Sequence, residues 1–118
     1  MTPRAGWGKG DPACWSWKAP VDGDLDRLQG RLIREQLEWT SELMLYEDAH
    51  LRWILMGEMH KKRCAICGIR PGRLVTDHDH ETGLVRGFLC NTCNGNEARR
   101  RYGIYAKYRE RTPAMMCG

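Results

Sequence analysis

The chain has 118 residues, 42% of them hydrophobic and 29% charged, enough for one domain or one small domain with a helical arm. No apolar run approaches the roughly 18 residues of a transmembrane helix, and Met1 to Trp7 lack the apolar core of a signal peptide, which argues against a membrane protein and against secretion. The formal charge of +4 is uneven. Residues 1–63 carry 10 Lys+Arg and 10 Asp+Glu, whereas residues 64–118 carry 9 and 5, so the basic back half is the part suited to meet a polyanion.

Residues 1–23 are rich in Gly, Pro and Trp and read as an irregular arm. Trp7, Trp15 and Trp17 are candidates to dock on the domain, to dock on a partner or to stack on bases, and docking on the domain's own helix is the reading preferred. Residues 24–59 are a helical segment. Leu25, Leu28, Leu32, Trp39, Leu43, Tyr46 and Trp53 recur at steps of three and four, with Asp24 as N-cap and Asp26 in the first turn. After Leu43 a second apolar stripe appears (Met44, Leu45, Leu51, Ile54, Leu55, Met56), so more than one face must be covered. Either the helix breaks near Asp48 into a hairpin, or a second copy of the chain covers it as a homodimer. Gly57 is expected to end it.

Residues 60–98 hold the chemistry. Cys64-Ala65-Ile66-Cys67 and Cys90-Asn91-Thr92-Cys93 are two C-x-x-C knuckles. Clustered cysteines in a chain without secretion signals read as metal ligands, and two knuckles complete a tetrahedral Cys₄ zinc site. Four thiolates leave no open position for a bound water, so the zinc is structural. Cys14 and Cys117 are bystanders. Between the knuckles, Pro71-Gly72 is a turn signal, Leu74-Val75-Thr76 a strand, Glu81-Thr82-Gly83 a turn, and Leu84–Leu89 a second strand. The expected result is a hairpin stapled at its feet by zinc, with a helix starting near Asn94.

The hairpin carries Asp77-His78-Asp79-His80. Carboxylates hold Mg²⁺, and histidine near its ordinary pKa serves as a general base. Asn94 and Glu97, three apart, share a helix face that can point at Asp77 and His78. In a regular strand Asp77 and His78 would point to opposite sides, so the strand must end or bulge there. The competing reading is a polar loop that orders the knuckles or binds a second metal. Residues 99–118 form a basic tail, helical at first and frayed past Pro113. Arg99, Arg100, Arg101, Lys107, Arg109 and Arg111 are candidates to hold phosphates, or else a solvated helix face.

The knuckles together with Asp77-His78-Asp79-His80-x-Thr82-Gly83-x-Val85-Arg86-Gly87-x-Leu89-Cys90-x-x-Cys93-Asn94 resemble the recombination endonuclease VII family, bacteriophage nucleases of the His-Me finger (ββα-metal, HNH-like) class. The resemblance spans about residues 60–98. It implies a small α+β fold, a ββα-metal motif stapled by a Cys₄ zinc, behind an N-terminal helical segment. It implies Asp77 and Asn94 as ligands of a catalytic Mg²⁺ or Mn²⁺, His78 as general base, His80 as an assistant at the phosphate, and Glu97 as a catalytic glutamate. Arg86 matches the Arg-Gly step of the second strand and is taken with Arg99, Arg100, Arg101 and Lys107 as a nucleic-acid contact. The expected activity is hydrolysis of phosphodiester bonds in branched or junction DNA by a phage-encoded homodimer in the bacterial cytoplasm. The alternatives are a nicking endonuclease for DNA packaging or a mobile element, and a non-catalytic zinc module that binds nucleic acid. The chain has only 25 residues after Cys93, whereas well-known members continue into a long helical region.

Overall fold

A computed structural model describes residues 10–39, 45–100 and 102–118. Trp7, Leu43, Met44 and Arg101 lie outside the described residues, as does the side chain of Trp39. The described architecture is small α+β. A 3₁₀ turn (Ala13–Ser16) leads to α1 (Asp24–Trp39) and α2 (Asp48–His60), then β1 (Val75–His78) and β2 (Val85–Leu89), then α3 (Asn91–Arg99), α4 (Ile104–Glu110) and α5 (Pro113–Cys117).

The apolar run does break near Asp48. Gln29 fixes the return of the chain after α1: its amide donates to the Tyr46 carbonyl at 3.0 Å and accepts from the Tyr46 N–H at 3.2 Å. Arg31 on α1 reaches Glu58 on α2 at 2.5 Å. Asp24 lies inside the first turn of α1 rather than capping it from outside. Its carboxylate accepts from the Val21 N–H and pairs with Arg27. Gly57 does not end α2, which continues to His60 and stops where Lys61 and Lys62 adopt left-handed backbone, φ 49° and 63°. A Cβ at Gly57 would sit in ordinary contact, 3.7 Å from the Phe88 ring.

β1 and β2 pair antiparallel, with Val75 opposite Leu89, Thr76 opposite Phe88 and Asp77 opposite Gly87. His78 then faces Val85, so Arg86 is the extra residue of a β-bulge. The outer edge of β2 is closed at Phe88, whose N–H donates to His60 Nε2 at 2.9 Å and whose carbonyl accepts from the Ala65 N–H at 3.1 Å. His60 completes the clasp by donating from Nδ1 to the Met56 carbonyl at 2.8 Å, and its ring lies between Trp17 and Phe88. Burial holds its pKa below the ordinary histidine value, the neutral form that these two bonds require.

The main core gathers around the knuckles. Cys14, Ala65, Ile66, Leu89, Ile104, Tyr105 and Tyr108 pack with the four knuckle cysteines. The N-terminal arm docks by its backbone, Ala13 N–H to Ile66 O and Cys14 N–H to Ala65 O, each 2.8 Å, and Trp15 and Trp17 pack on the core. The tail is part of this core and does not fray past Pro113. Thr112 is an N-cap whose hydroxyl accepts from the Met115 N–H at 3.3 Å, and Pro113 takes the first helical position of α5, where its missing N–H costs nothing.

Candidate functional site

The four knuckle sulfurs are buried and lie within 4.8 Å of one another. Cys67 and Cys90 Sγ are 3.8 Å apart, matching the edge of about 3.8 Å for a tetrahedron with zinc–sulfur bonds of about 2.3 Å. The Cys90 Sγ also accepts the Cys93 N–H at 3.4 Å and so caps α3, which explains why that helix starts at Asn91 and not at Asn94. Hydrogen bonds from Cys64 and Cys93 push the Cys67 thiol down to about 3, while the same cluster pushes Cys93 far up. Four buried soft sulfur donors this close together fit a structural metal such as zinc. Cys14 and Cys117 are not among the four.

The hairpin tip is organised by Asp79, which the motif reading left without a role. Its Oδ1 accepts from the Glu81 N–H at 2.8 Å and the Thr82 N–H at 3.2 Å. Those two bonds hold its carboxyl below the ordinary range. Gly83, at φ +75°, supplies the turn's left-handed residue and donates to the Asp79 carbonyl at 2.7 Å.

Asp77 and His78 occupy the end of β1, where Asp77 is buried and His78 exposed. His80 is exposed at the tip. Asn94 is half-buried on α3 and Glu97, one turn on, is buried. The structure joins Asp77 to Glu97 through Arg86. The Arg86 Nε donates to Asp77 Oδ2 at 2.9 Å, while its Nη2 lies 3.0 Å from Asp77 Oδ1, 2.9 Å from Glu97 Oε1 and 3.2 Å from the His78 carbonyl. Two carboxylates from different elements thus converge on one cationic nitrogen, the arrangement of hard oxygen donors that also suits a divalent ion.

Two partners of this cluster come from α4. Tyr108, fully buried, donates its hydroxyl to Asp77 Oδ2 at 3.0 Å. Arg109 donates from Nε to Glu97 Oε1 at 2.6 Å and from Nη2 to the Glu97 carbonyl at 2.5 Å. Burial pushes the Asp77 carboxyl up against the pull of Arg86 and Tyr108, and the Glu97 charge adds to the rise. Gly87 makes this approach possible. A Cβ there would lie 2.9 Å from the Tyr108 hydroxyl and 2.9 Å from Pro113 Cγ. The Arg-Gly step is therefore one device: the arginine bridges the carboxylates and the glycine admits the tyrosine.

The basic residues behave differently from one another. Arg99 and Arg100 are exposed at the end of α3. Lys107 pairs with Asp11 at 3.2 Å, and Arg111 donates to the Trp15 carbonyl at 3.0 Å, so both also bind the N-terminal arm to α4 and its end.

Residues 34–111 match the family model of recombination endonuclease VII. The chain belongs to that family. Two curated relatives are each called "Gene 59 protein", one from Mycobacterium phage L5 and one from Mycobacterium phage D29. Each is 52% identical over 68 residues, covering 54% of this chain and 42% or 41% of the relative. The chain thus spans about two fifths of the length of these relatives. No solved structure matches it. Among the described residues, no helix is long and apolar enough to cross a membrane.

Proposed function

We propose that this endonuclease VII family member is a phage-encoded, metal-dependent DNA endonuclease of the His-Me finger type, acting in the bacterial cytoplasm on branched or junction DNA. The observation that carries the reading is the convergence of β1 and α3 on one buried polar cluster beside an exposed histidine. Asp77 sits at the bulge, Glu97 faces it, Asn94 is one turn away, and His78 follows directly at the open strand end.

In this reading His78 removes a proton from the attacking water as the 3′ oxygen leaves phosphorus. Its exposure at the strand end gives water and a phosphodiester access to it. His80 assists at the phosphate, and Glu97, held by Arg86 and Arg109, completes the acidic wall. Asp77 and Asn94 would hold Mg²⁺ or Mn²⁺, which when bound supplies positive charge for the charge developing on the phosphate and leaving group. Arg86, Arg99, Arg100, Arg101 and Lys107 hold phosphates on either side. A structural zinc on Cys64, Cys67, Cys90 and Cys93 staples the hairpin to α3.

The protein works as a homodimer, which sets two centres for cuts in two strands. Support comes from apolar side chains left at the surface of the helical hairpin, Leu37 (55% exposed) and Leu45 (71% exposed) among them. A second reading, a monomeric nicking enzyme for packaging or a mobile element, is favoured by the packing of α1 on α2 within one chain. The third, a non-catalytic zinc module, is favoured by the engagement of both carboxylates with arginines. Incubation of four-way-junction, nicked, linear duplex and single-stranded DNA with Mg²⁺ separates them. Paired cuts at the junction support the first reading, single-strand nicks the second, and intact DNA throughout the third.

A further inference from the structure

The acidic cluster already holds a cation, the guanidinium of Arg86. Its Nη2 lies within 3.0 Å of a carboxylate oxygen from each of Asp77 and Glu97, so it occupies the point on which both converge. With Arg109 on Glu97, two carboxylates face two guanidiniums and the cluster is formally neutral. A neutral cluster offers a phosphodiester little attraction.

Two features make Arg86 able to leave. It is the extra residue of the bulge, left without a partner opposite it on β1. It also lines the wall of a groove of about 840 Å³, with Trp53, Leu84, Arg109, Thr112 and Met115 around it. The groove gives the long side chain somewhere to go on the same face as the hairpin tip.

We propose that Arg86 is a displaceable counter-cation: it bridges Asp77 and Glu97 until a divalent ion binds at Asp77, then turns into the groove and engages a DNA phosphate. The proposal rests on the metal-dependent reading above. Exchange of the guanidinium for a divalent ion, with Arg86 remaining nearby, raises the formal charge of the cluster by two. Metal binding and phosphate capture are then one event. The same competition scales the apparent affinity for the ion by the fraction of molecules in which Arg86 has left the carboxylates.

The test uses the full-length, zinc-loaded chain without DNA. The Nε–H resonance of Arg86, identified by its absence in Arg86→Lys, is followed as Mg²⁺ is added. The expected result is a shift of that resonance and exchange with water faster by about tenfold or more. In parallel, Mn²⁺ binding is read from loss of the free-ion EPR signal in wild type, Arg86→Met and Asp77→Asn. Arg86→Met is expected to bind about tenfold or more tightly than wild type, and Asp77→Asn to lose binding. Where Arg86→Met fails to fold, the wild-type resonance decides alone. Mn²⁺ binding that depends on Asp77 while the Arg86 resonance stays unchanged at saturating Mg²⁺ overturns the displacement and leaves the metal reading standing. No Mn²⁺ binding in either wild type or Arg86→Met overturns both.

Discussion

Gly87→Ala tests the packing that brings α4 to the acidic cluster. The added Cβ would lie 2.9 Å from Pro113 Cγ and 2.9 Å from the Tyr108 hydroxyl, closer than real Cβ contacts allow, and 3.0 Å from Pro113 Cδ. Neither neighbour yields easily. Pro113 is a rigid ring at the first position of α5, and Tyr108 is fully buried with its hydroxyl on Asp77. Overpacking of this kind costs about 1–3 kcal/mol. Losing the hydroxyl's bond to a carboxylate adds about 1.5–3 kcal/mol. Urea denaturation of the zinc-loaded protein should therefore show Gly87→Ala destabilised by about 2.5–6 kcal/mol with an unchanged slope. In a Tyr108→Phe background the same substitution should cost less, because the hydrogen bond is already gone and one of the clashing atoms with it. A loss under about 0.5 kcal/mol in the wild-type background would show that α4 and α5 do not bear on Gly87 as described.

Three further expectations can be checked together. Metal analysis of protein purified without chelator should find one zinc per chain, unchanged in Cys14→Ser and Cys117→Ser and lost in Cys90→Ser; retention in Cys90→Ser would refute the four-thiolate site. His60 has a folded pKa below its ordinary value of 6.5, so the unfolded chain takes up the proton first as pH falls. Its contribution is fully present above about pH 6.5 and is lost as pH drops through and below that value, so wild type should lose more stability than His60→Gln between about pH 7 and pH 5.5. Light scattering at micromolar concentration should give twice the chain mass of 13.7 kDa, and a mass near 13.7 kDa would remove the homodimer.

Much of the site was legible because its determinants are local. Each knuckle is four residues long, and the Pro71-Gly72 and Gly83 turns bracket the first strand of the hairpin. An irregularity was expected in the strand at Asp77-His78; the bulge opposite them has its extra residue, Arg86, on β2, while β1 keeps its alternation, with Asp77 buried and His78 exposed. What escaped is non-local. Tyr108 meets Asp77 across 31 positions and Arg109 meets Glu97 across 12, and no periodicity encodes either pairing. The tail read as a basic run for holding phosphates, or else a solvated helix face, because its arginines and lysine dominate the composition, yet Ile104, Tyr105 and Tyr108 are spaced to bury one face against the knuckles. Thr112-Pro113 carried a readable signal, a capping residue followed by proline, and it marks a helix start where proline alone suggested an end. The start of α3 was misplaced by three residues because a thiolate, not a hydroxyl or carboxylate, caps it.

The most direct test of the central claim is cleavage of junction and nicked DNA by His78→Ala beside wild type, in Mg²⁺, at matched zinc content. His78 is exposed and touches none of the buried cluster through its side chain in the bonds described above, so its removal should leave fold, zinc and DNA affinity intact. General-base catalysis contributes typically 10²–10⁴-fold, so the variant's rate should fall by about that factor. A variant that cuts at the wild-type rate would contradict the assignment of this site as a nuclease centre.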